Sequence, residues 1–231
     1  MLEPDSTRVV PSHAGAPGGL DSPHALQILT TEHWSLLASR SLGYTEAMSR
    51  ASIYVAALTG SVVALALVGQ ATGFDDAFVA FALVLLPVVF FLGLVTIIRL
   101  GQINWEDATW VQGMNRIRNA YLDIAPELEP YFVTSKYDDD RGVLTSTLAI
   151  PSVMPHIQPF VAIPGVVAVL DSVIAGGIAG ITAHALDTGT GWTVAIGAIT
   201  FVLTLTAFAG FAIWTITGMR ERIVVRFPSP S

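Results

Sequence analysis

One carboxylate lies inside a long apolar run, and its chemistry needs an explanation first. Asp171 is the only charged residue between Phe160 and Leu186. A charged carboxylate at the centre of a bilayer costs about 2.5–3.5 kcal/mol on insertion scales, and such residues mark ion or proton pathways. We therefore treat Asp171 as a candidate intramembrane polar site; the alternative is a structural carboxyl that is protonated or lies at the interface. Its candidate hydrogen-bond partners are Thr200 and Thr204 of the fourth apolar run, and Thr59 and Ser61 of the first.

A second group of carboxylates is Asp138, Asp139 and Asp140, which are adjacent in a polar segment. Hard divalent cations prefer oxygen ligands, so a metal site is one interpretation. A calcium loop, however, spaces its ligands at alternate positions and needs a turn glycine and a distal glutamate. This run has neither the spacing nor the glutamate, so we expect a solvated loop.

Catalytic chemistry has no visible basis in the sequence. There is no phosphate-binding glycine loop, no dinucleotide fingerprint, no zinc-protease motif and no serine-hydrolase elbow. The chain has no cysteine, and its five histidines do not cluster with carboxylates at metal-ligand spacing. We predict that the protein is not an enzyme and uses no cofactor and no metal.

The elements that must position these residues are four long apolar helices. Hydrophobic residues make up 52% of the chain and charged residues only 13%. About 20 helical residues cross a bilayer, and four runs meet or nearly meet that length. We predict an all-α fold, a four-helix transmembrane bundle with a cytoplasmic helical extension. The runs are Ile53–Gly69, Phe78–Ile98, Phe160–Leu186 and Thr193–Met219.

The basic residues indicate the orientation of these spans. All 11 Lys and Arg residues fall on one side if the N-terminus is placed inside, and the two opposite loops contain none. Cytoplasmic loops carry the excess of Lys and Arg. We predict a multi-pass protein of the inner or plasma cell membrane, with N-terminus and C-terminus cytoplasmic. Asp75 and Asp76 then form a candidate outer mouth. The preference for Arg over Lys, with abundant Ala, Val and Gly, suggests a bacterial source.

The predicted organisation has six parts. Residues 1–21 form a disordered tail, and 22–50 form a cytoplasmic amphipathic helix that Ser22 caps and that runs towards the first span. Gly43 is a candidate bend. Residues 51–99 form a transmembrane hairpin, and 100–150 form a cytoplasmic helix and acidic loop. Residues 151–219 form a proline-rich segment and a second hairpin, and 220–231 form a cytoplasmic tail.

A regular apolar stripe follows the second span. Trp110, Met114, Ile117 and Tyr121 are spaced 4, 3 and 4 residues apart. That spacing is typical of a helix that packs on another helix. The partner is either residues 26–48 of the same chain or another subunit. These four residues are therefore a candidate cytoplasmic contact face, and Pro126 should end their helix.

Small residues mark a close contact in the third span. Gly176 and Gly180 form a GxxxG pair, which lets helix backbones approach where no hydrophobic effect drives association. Whether this contact lies within one chain or between subunits is left open by the sequence. Pro87 predicts a kink in the second span.

The stretch Met114–Phe132, MNRIRNAYLDIAPELEPYF, resembles uncharacterised four-span bacterial membrane proteins. The resemblance covers about a tenth of the chain. It implies a similar membrane layout, and no functional residue is carried over from it.

Two functions fit these observations. The first is an oligomeric ion pore or transport-type protein, favoured by Asp171, the kinked second span and the acidic outer loop, although one chain carries no filter-like sequence. The second is a membrane-anchored sensor, effector or scaffold that binds a partner through its cytoplasmic helices. The expected partners are the lipid bilayer, further copies in a homo-oligomer and a cytoplasmic protein, with no nucleic acid.

Overall fold

The computed structural model describes residues 19–20, 22–147, 162–220 and 224–230. Its two longest helices are α1 (Pro23–Thr72) and α2 (Asp76–Ile124). A 3₁₀ helix, η1 (Pro126–Tyr131), and a short helix, α3 (Asp140–Thr147), come next. The last two helices are α4 (Ile163–Ala185) and α5 (Thr190–Arg220). Most of the predicted N-terminal tail and the prolines at 151, 155 and 159 lie outside the described residues.

The predicted all-α class and the four apolar helices are confirmed. All secondary structure in the described ranges is helical. The helices α1, α2, α4 and α5 are long and apolar enough to cross a membrane. This length and composition are what a multi-pass membrane protein requires of its spans.

The start of α1 agrees with the sequence prediction. Ser22 caps the helix by accepting a hydrogen bond from the backbone N–H of Ala25 at 3.2 Å, and Pro23 follows at the first helical position. Both residues satisfy the needs of a helix N-terminus, where backbone N–H groups have no partner within the helix. The helix then continues without a break into the first apolar run and ends at Gly73, which has a left-handed backbone (φ 71°).

The four apolar helices pack in chain order. The helix α1 packs along α2, α2 packs on α4, and α4 packs on α5. Buried apolar residues concentrate where α1, α2 and α4 meet, and α5 lies at the edge with no residue of its most apolar stretch buried. The core residues include Tyr54, Leu86, Val89, Ile97, Leu100 and Val167.

The stripe predicted on α2 packs within the chain. Met114 and Ile117 are buried. Val111 and Met114 of α2 form a small core with Val143 of α3, and this core lies beside α1. Tyr121 stacks on His33 of α1, with ring centroids 5.9 Å apart. Of the two interpretations that the sequence left open, the intramolecular contact is the one that these residues make.

Two glycines allow α1 and α2 to approach closely. Gly43, predicted as a bend, lies in an unbroken helix, where an added Cβ would be 2.7 Å from the ring of Trp110. At Gly113, an added Cβ would be 2.9 Å from Leu36. Each glycine thus receives a large side chain of the opposite helix.

Ion pairs join the same two helices at the end of the apolar spans. Arg99 donates to both carboxylate oxygens of Glu46 at 2.9 Å and to Glu106 at 2.9 Å. Arg40 pairs with Asp107 at 2.7 Å. Such partly exposed pairs each contribute about 0–1 kcal/mol, so their main effect is on the register of the helices. We call this end of the spans the basic side; the turns at 73–75 and 186–189 lie at the opposite end.

The GxxxG pair of α4 lies against α5 of the same chain. An added Cβ at Gly176 would be 2.8 Å from the carbonyl oxygen of Gly197. At Gly180 an added Cβ would be 3.7 Å from the carbonyl oxygen of Thr193. The two backbones therefore touch along this face, and the contact is within the chain.

Replacing Gly176 with alanine should loosen this hairpin. The added methyl group meets the Gly197 backbone, and overpacking of this kind costs about 1–3 kcal/mol. Gly177→Ala is the matched control, because nothing lies within 4 Å of a Cβ there. The free energy of unfolding, measured by SDS titration in mixed micelles, should fall for Gly176→Ala only. Equal effects of the two variants would contradict the packing described.

Candidate functional site

A fully buried carboxylate organises the part of the molecule beyond the basic side. Asp138 has 0% exposure, although the sequence predicted a solvated acidic loop, and that prediction is wrong for this residue. Its side chain accepts hydrogen bonds from the backbone N–H groups of Arg226 at 3.0 Å and Phe227 at 2.7 Å. It also accepts one from Nε of Arg116 at 2.7 Å. Asp138 therefore holds a segment that follows α5.

Asp139 holds the same segment two residues further on. One carboxylate oxygen accepts from the backbone N–H of Ser229 at 2.8 Å, and the other accepts from the Ser229 hydroxyl at 2.9 Å. The second oxygen also accepts from the backbone N–H of Gly142 at 2.8 Å. Asp139 thereby ties the first turn of α3 to residues 224–230, which we call the tail segment.

Polar side chains of α2 complete the site. Gln112 donates to the carbonyl oxygens of Asp138 at 2.9 Å and Val224 at 3.2 Å. Asn115, also fully buried, donates to the carbonyl oxygen of Tyr137 at 2.7 Å. Buried polar groups of this kind are stable only when they are hydrogen-bonded. We call Gln112, Asn115, Arg116, Asp138 and Asp139 the carboxylate clamp.

The two carboxylates of the clamp are held in their charged form. Burial by itself would raise the pKa of Asp138, but the hydrogen bonds from Arg116 and from the backbone of Phe227 and Arg226 outweigh it and lower the pKa. The pKa of Asp139 is lowered in the same way, because bonds from Ser229 and Gly142 outweigh burial. Hydrogen bonds to a carboxylate favour its ionised form.

The intramembrane candidate, Asp171, lies where α1, α2 and α4 meet. It is fully buried, and Oδ1 accepts a hydrogen bond from the Tyr54 hydroxyl at 3.3 Å. Oδ2 has no hydrogen-bond partner among the described residues. An added Cβ at Gly93 of α2 would clash with the Asp171 carboxylate and would be 2.8 Å from the Tyr54 ring. Gly93 thus provides the space that both side chains occupy.

The hydroxyl partners predicted for Asp171 are not the ones observed. Thr59 and Ser61 donate to carbonyl oxygens of their own helix, Val55 and Ala57 respectively. Thr200 and Thr204 belong to α5, which lies on the far side of α4, and neither bonds to Asp171 in the described part of the chain.

The remaining predicted residues have local roles. Asp75 caps α2 by accepting from the N–H groups of Ala77 at 3.0 Å and Phe78 at 3.2 Å, and Asp76 lies in the first turn. Carboxylates there are favoured by the helix dipole. Both are exposed. Within the described ranges, no group of three or more His, Cys, Asp or Glu is arranged to hold a metal ion.

Sequence reasoning missed Gln112, Asn115 and Arg116 as site residues. Besides its bond to Asp138, Arg116 donates through Nη2 to the carbonyl oxygen of Val224. One sequence signal pointed to Gln112 and Asn115. Both amides lie next to residues of the apolar stripe, so they are buried and need hydrogen-bond partners. The sequence of the tail segment did not predict its docking, because most of its hydrogen bonds are made by backbone groups, which every residue type carries.

Comparisons with protein-family models, with curated proteins and with solved structures find no match for this chain.

Asp138→Asn should release the tail segment. The substitution removes the charge that two backbone N–H groups and Arg116 share, a loss of about 1–3 kcal/mol.

In the wild type, docking of the tail segment depends on pH. Docking lowers the pKa of Asp138. Its ionised carboxylate therefore contributes fully to the free energy of docking above the ordinary aspartate pKa of about 3.9. That contribution disappears as the pH falls through the lowered pKa of the docked state.

Nitroxide labels on cysteines introduced at Asp123 and Pro230, both exposed, would report this release as a broadened distance distribution. The chain has no cysteine of its own to interfere. Glu127→Gln is the control, since it removes an exposed charge outside the clamp. A distribution that stays narrow in Asp138→Asn would show that Asp138 does not hold the tail segment.

Gly93→Ala should strongly destabilise the junction of three helices, because the new methyl group meets Asp171. Asp171→Ala should suppress much of that effect, because it removes the two nearest clashing atoms and leaves the contact with the Tyr54 ring. We expect the double variant to be more stable than the sum of the single losses predicts, by about 0.5–3 kcal/mol of coupling. The measurement is a double-mutant cycle of unfolding in SDS titration, with Gly60→Ala as the control, since its Cβ meets nothing within 4 Å. Additive losses would contradict the contact.

Proposed function

We propose that this protein is a membrane-anchored scaffold or sensor of the cell membrane that binds an extended polypeptide segment through the carboxylate clamp. The helical extension that carries the clamp consists of residues 23–50 of α1, 99–124 of α2, η1 and α3. By the positive-inside rule we assign this extension and both ends of the chain to the cytoplasm. The single observation that supports the proposal is the tail segment held in the clamp.

The clamp binds main-chain groups rather than a particular set of side chains. Asp138 accepts two consecutive N–H groups, and its own N–H donates to the carbonyl oxygen of Phe227 at 3.1 Å. Main-chain hydrogen bonds to an extended segment give affinity in peptide recognition, and side-chain contacts add specificity. The side-chain contact here is the Ser229 hydroxyl on Asp139. A partner therefore needs two free N–H groups in a row and a hydroxyl two residues later.

The prolines of the tail segment fit this pattern. Pro228 and Pro230 alternate with Ser229, so the groups that lack an N–H fall where the clamp uses none. Proline also restrains the residue before it to extended backbone. A partner with the same features pays less conformational entropy on binding. The tail segment is then the occupant in cis, and a partner segment competes with it.

An oligomeric ion pore or transport-type protein is a second candidate, favoured by the buried carboxylate of Asp171. Intramembrane carboxylates are typical of ion and proton pathways. A pathway would have to pass between subunits of a homo-oligomer, since α1, α2 and α4 of one chain enclose Asp171 in the described ranges.

Binding in trans tests the first proposal. A chain that lacks residues 224–231, in lipid nanodiscs, should bind a fluorescent peptide with the sequence VVRFPSPS saturably, as measured by fluorescence anisotropy. Asp138→Asn in the truncated chain should weaken binding at least about tenfold, which corresponds to 1.4 kcal/mol. The full-length chain should bind more weakly than the truncated one, because its own tail segment fills the clamp.

Glu127→Gln in the truncated chain should bind as the parent does, and a scrambled peptide should not bind. Absence of saturable binding, or equal binding by Asp138→Asn, would show that the clamp is only an internal support for the tail segment. The scaffold proposal would then lose the observation on which it depends.

A further inference from the structure

Asp171 plays no part in the clamp, and its surroundings have a chemistry of their own. The carboxyl and the Tyr54 side chain are both fully buried, and the 3.3 Å bond between them is the hydrogen bond that the junction offers to Oδ1. Oδ2 has none in the described part of the chain. A carboxylate in the clamp, by contrast, accepts three or more bonds.

Among the residues that the structure describes, no cation compensates a negative charge at this position. The helix α1 contributes Tyr54, and α2 contributes Gly93 with apolar neighbours and the Thr96 hydroxyl, which donates to its own helix at Leu92. Apart from Asp171, α4 contains only His184 as a titratable residue, and α5 contains none before Arg220. An ionised carboxylate that is buried without a partner is far costlier than a neutral one.

The arginines nearest in sequence do not reach Asp171. Arg50 is four residues before Tyr54, and Arg99 is six residues after Gly93. At 1.5 Å per residue, these are about 6 and 9 Å along the helices, towards the basic side. Both arginines are bonded to Glu46. The junction therefore lies only one to two helical turns from the ion pairs of the basic side.

A cavity approaches the junction from that side. It has a volume of about 520 Å³ and lies between α1, α2 and the start of α4, with Ala47, Leu100 and Ile163 in its lining. Along α4, Ile163, Val167 and Asp171 follow one another at intervals of four residues and so lie on one face. Val167, whose side chain is buried, is therefore one helical turn from Ile163 of the cavity lining and one turn from Asp171.

We infer that Asp171 is a proton-binding site that takes up a proton when α4 packs against α1 and α2 and releases it towards the basic side when these helices separate. The ligand is a proton, and the Tyr54 hydroxyl and the space above Gly93 position the carboxyl that binds it. This inference is independent of the carboxylate clamp. The packed state binds one proton more than the separated state, so raising the pH favours separation.

The linkage has a definite size. Where the packed junction holds the proton and the separated one does not, the equilibrium constant for packing falls tenfold for each unit that the pH rises. Tyr54 donates to the carboxyl oxygen in the packed state, so this bond stabilises packing. Tyr54→Phe removes the bond and should therefore move helix separation, and proton release with it, to lower pH.

Infrared spectroscopy of the full chain in nanodiscs detects the proton directly. The carbonyl stretch of a protonated aspartic acid, identified in wild type by ¹³C-labelled aspartate and absent in Asp171→Asn, should be present at neutral pH and vanish as the pH rises. In parallel, nitroxides on cysteines at Met48 and Val166, which are exposed on α1 and α4, report separation of the helices. The distance change and the loss of the infrared band should share one midpoint, and Asp171→Asn should show neither.

Three results would overturn the inference. A band that persists until the protein unfolds would make Asp171 a permanently neutral structural acid. Loss of the band with unchanged distances would separate the proton from helix packing. A midpoint that moves with sodium concentration at constant ionic strength would make the ligand a metal cation. The wild-type spectra decide the first and third cases even if Asp171→Asn does not accumulate.

Discussion

The packing of α1 along α2, which continues from the apolar spans into the helical extension, is the contact on which both sites depend. It places Tyr54 beside Gly93 within the spans, and it supports the α2 residues that reach the clamp. Gly93 and Arg116 are 23 residues apart in one helix, which is about 35 Å. Close approach at Gly43 and Gly113, and the ion pairs at Glu46 and Asp107, fix the register of the pair along this length.

The two buried aspartates show how surroundings decide the state of one side chain. Asp138 is removed from water but receives an arginine and two backbone N–H groups, so its charge is retained and its pKa lowered. From the described part of the chain, Asp171 receives a single hydroxyl and no cation. The first arrangement suits a permanent charge that holds a segment in place. The second suits a group whose charge depends on whether its helices are packed, which is the property we infer for it.

Much of the fold could be predicted because its signals are local. Apolar runs, the Ser22 cap and the spacing of Trp110, Met114, Ile117 and Tyr121 each lie within a few helical turns, and the helices follow from them. The clamp could not be predicted, because Asp138 and Arg226 are 88 residues apart and most of the bonds to the tail segment involve its backbone. The partner of Asp171 was missed for a related reason. Composition indicated hydroxyls on α5, but the order of packing brings Tyr54 of α1 to the carboxyl instead.

The distance along the chain between the clamp and its occupant has a consequence for biosynthesis. Asp138 is synthesised before α4 and α5, and the tail segment after both. Until the ribosome has completed the last hairpin and the tail segment, the clamp has no occupant in cis. A chain that crossed the membrane an odd number of times would leave the tail segment on the wrong side, out of reach. Occupancy of the clamp therefore distinguishes a correctly threaded molecule from a misinserted one.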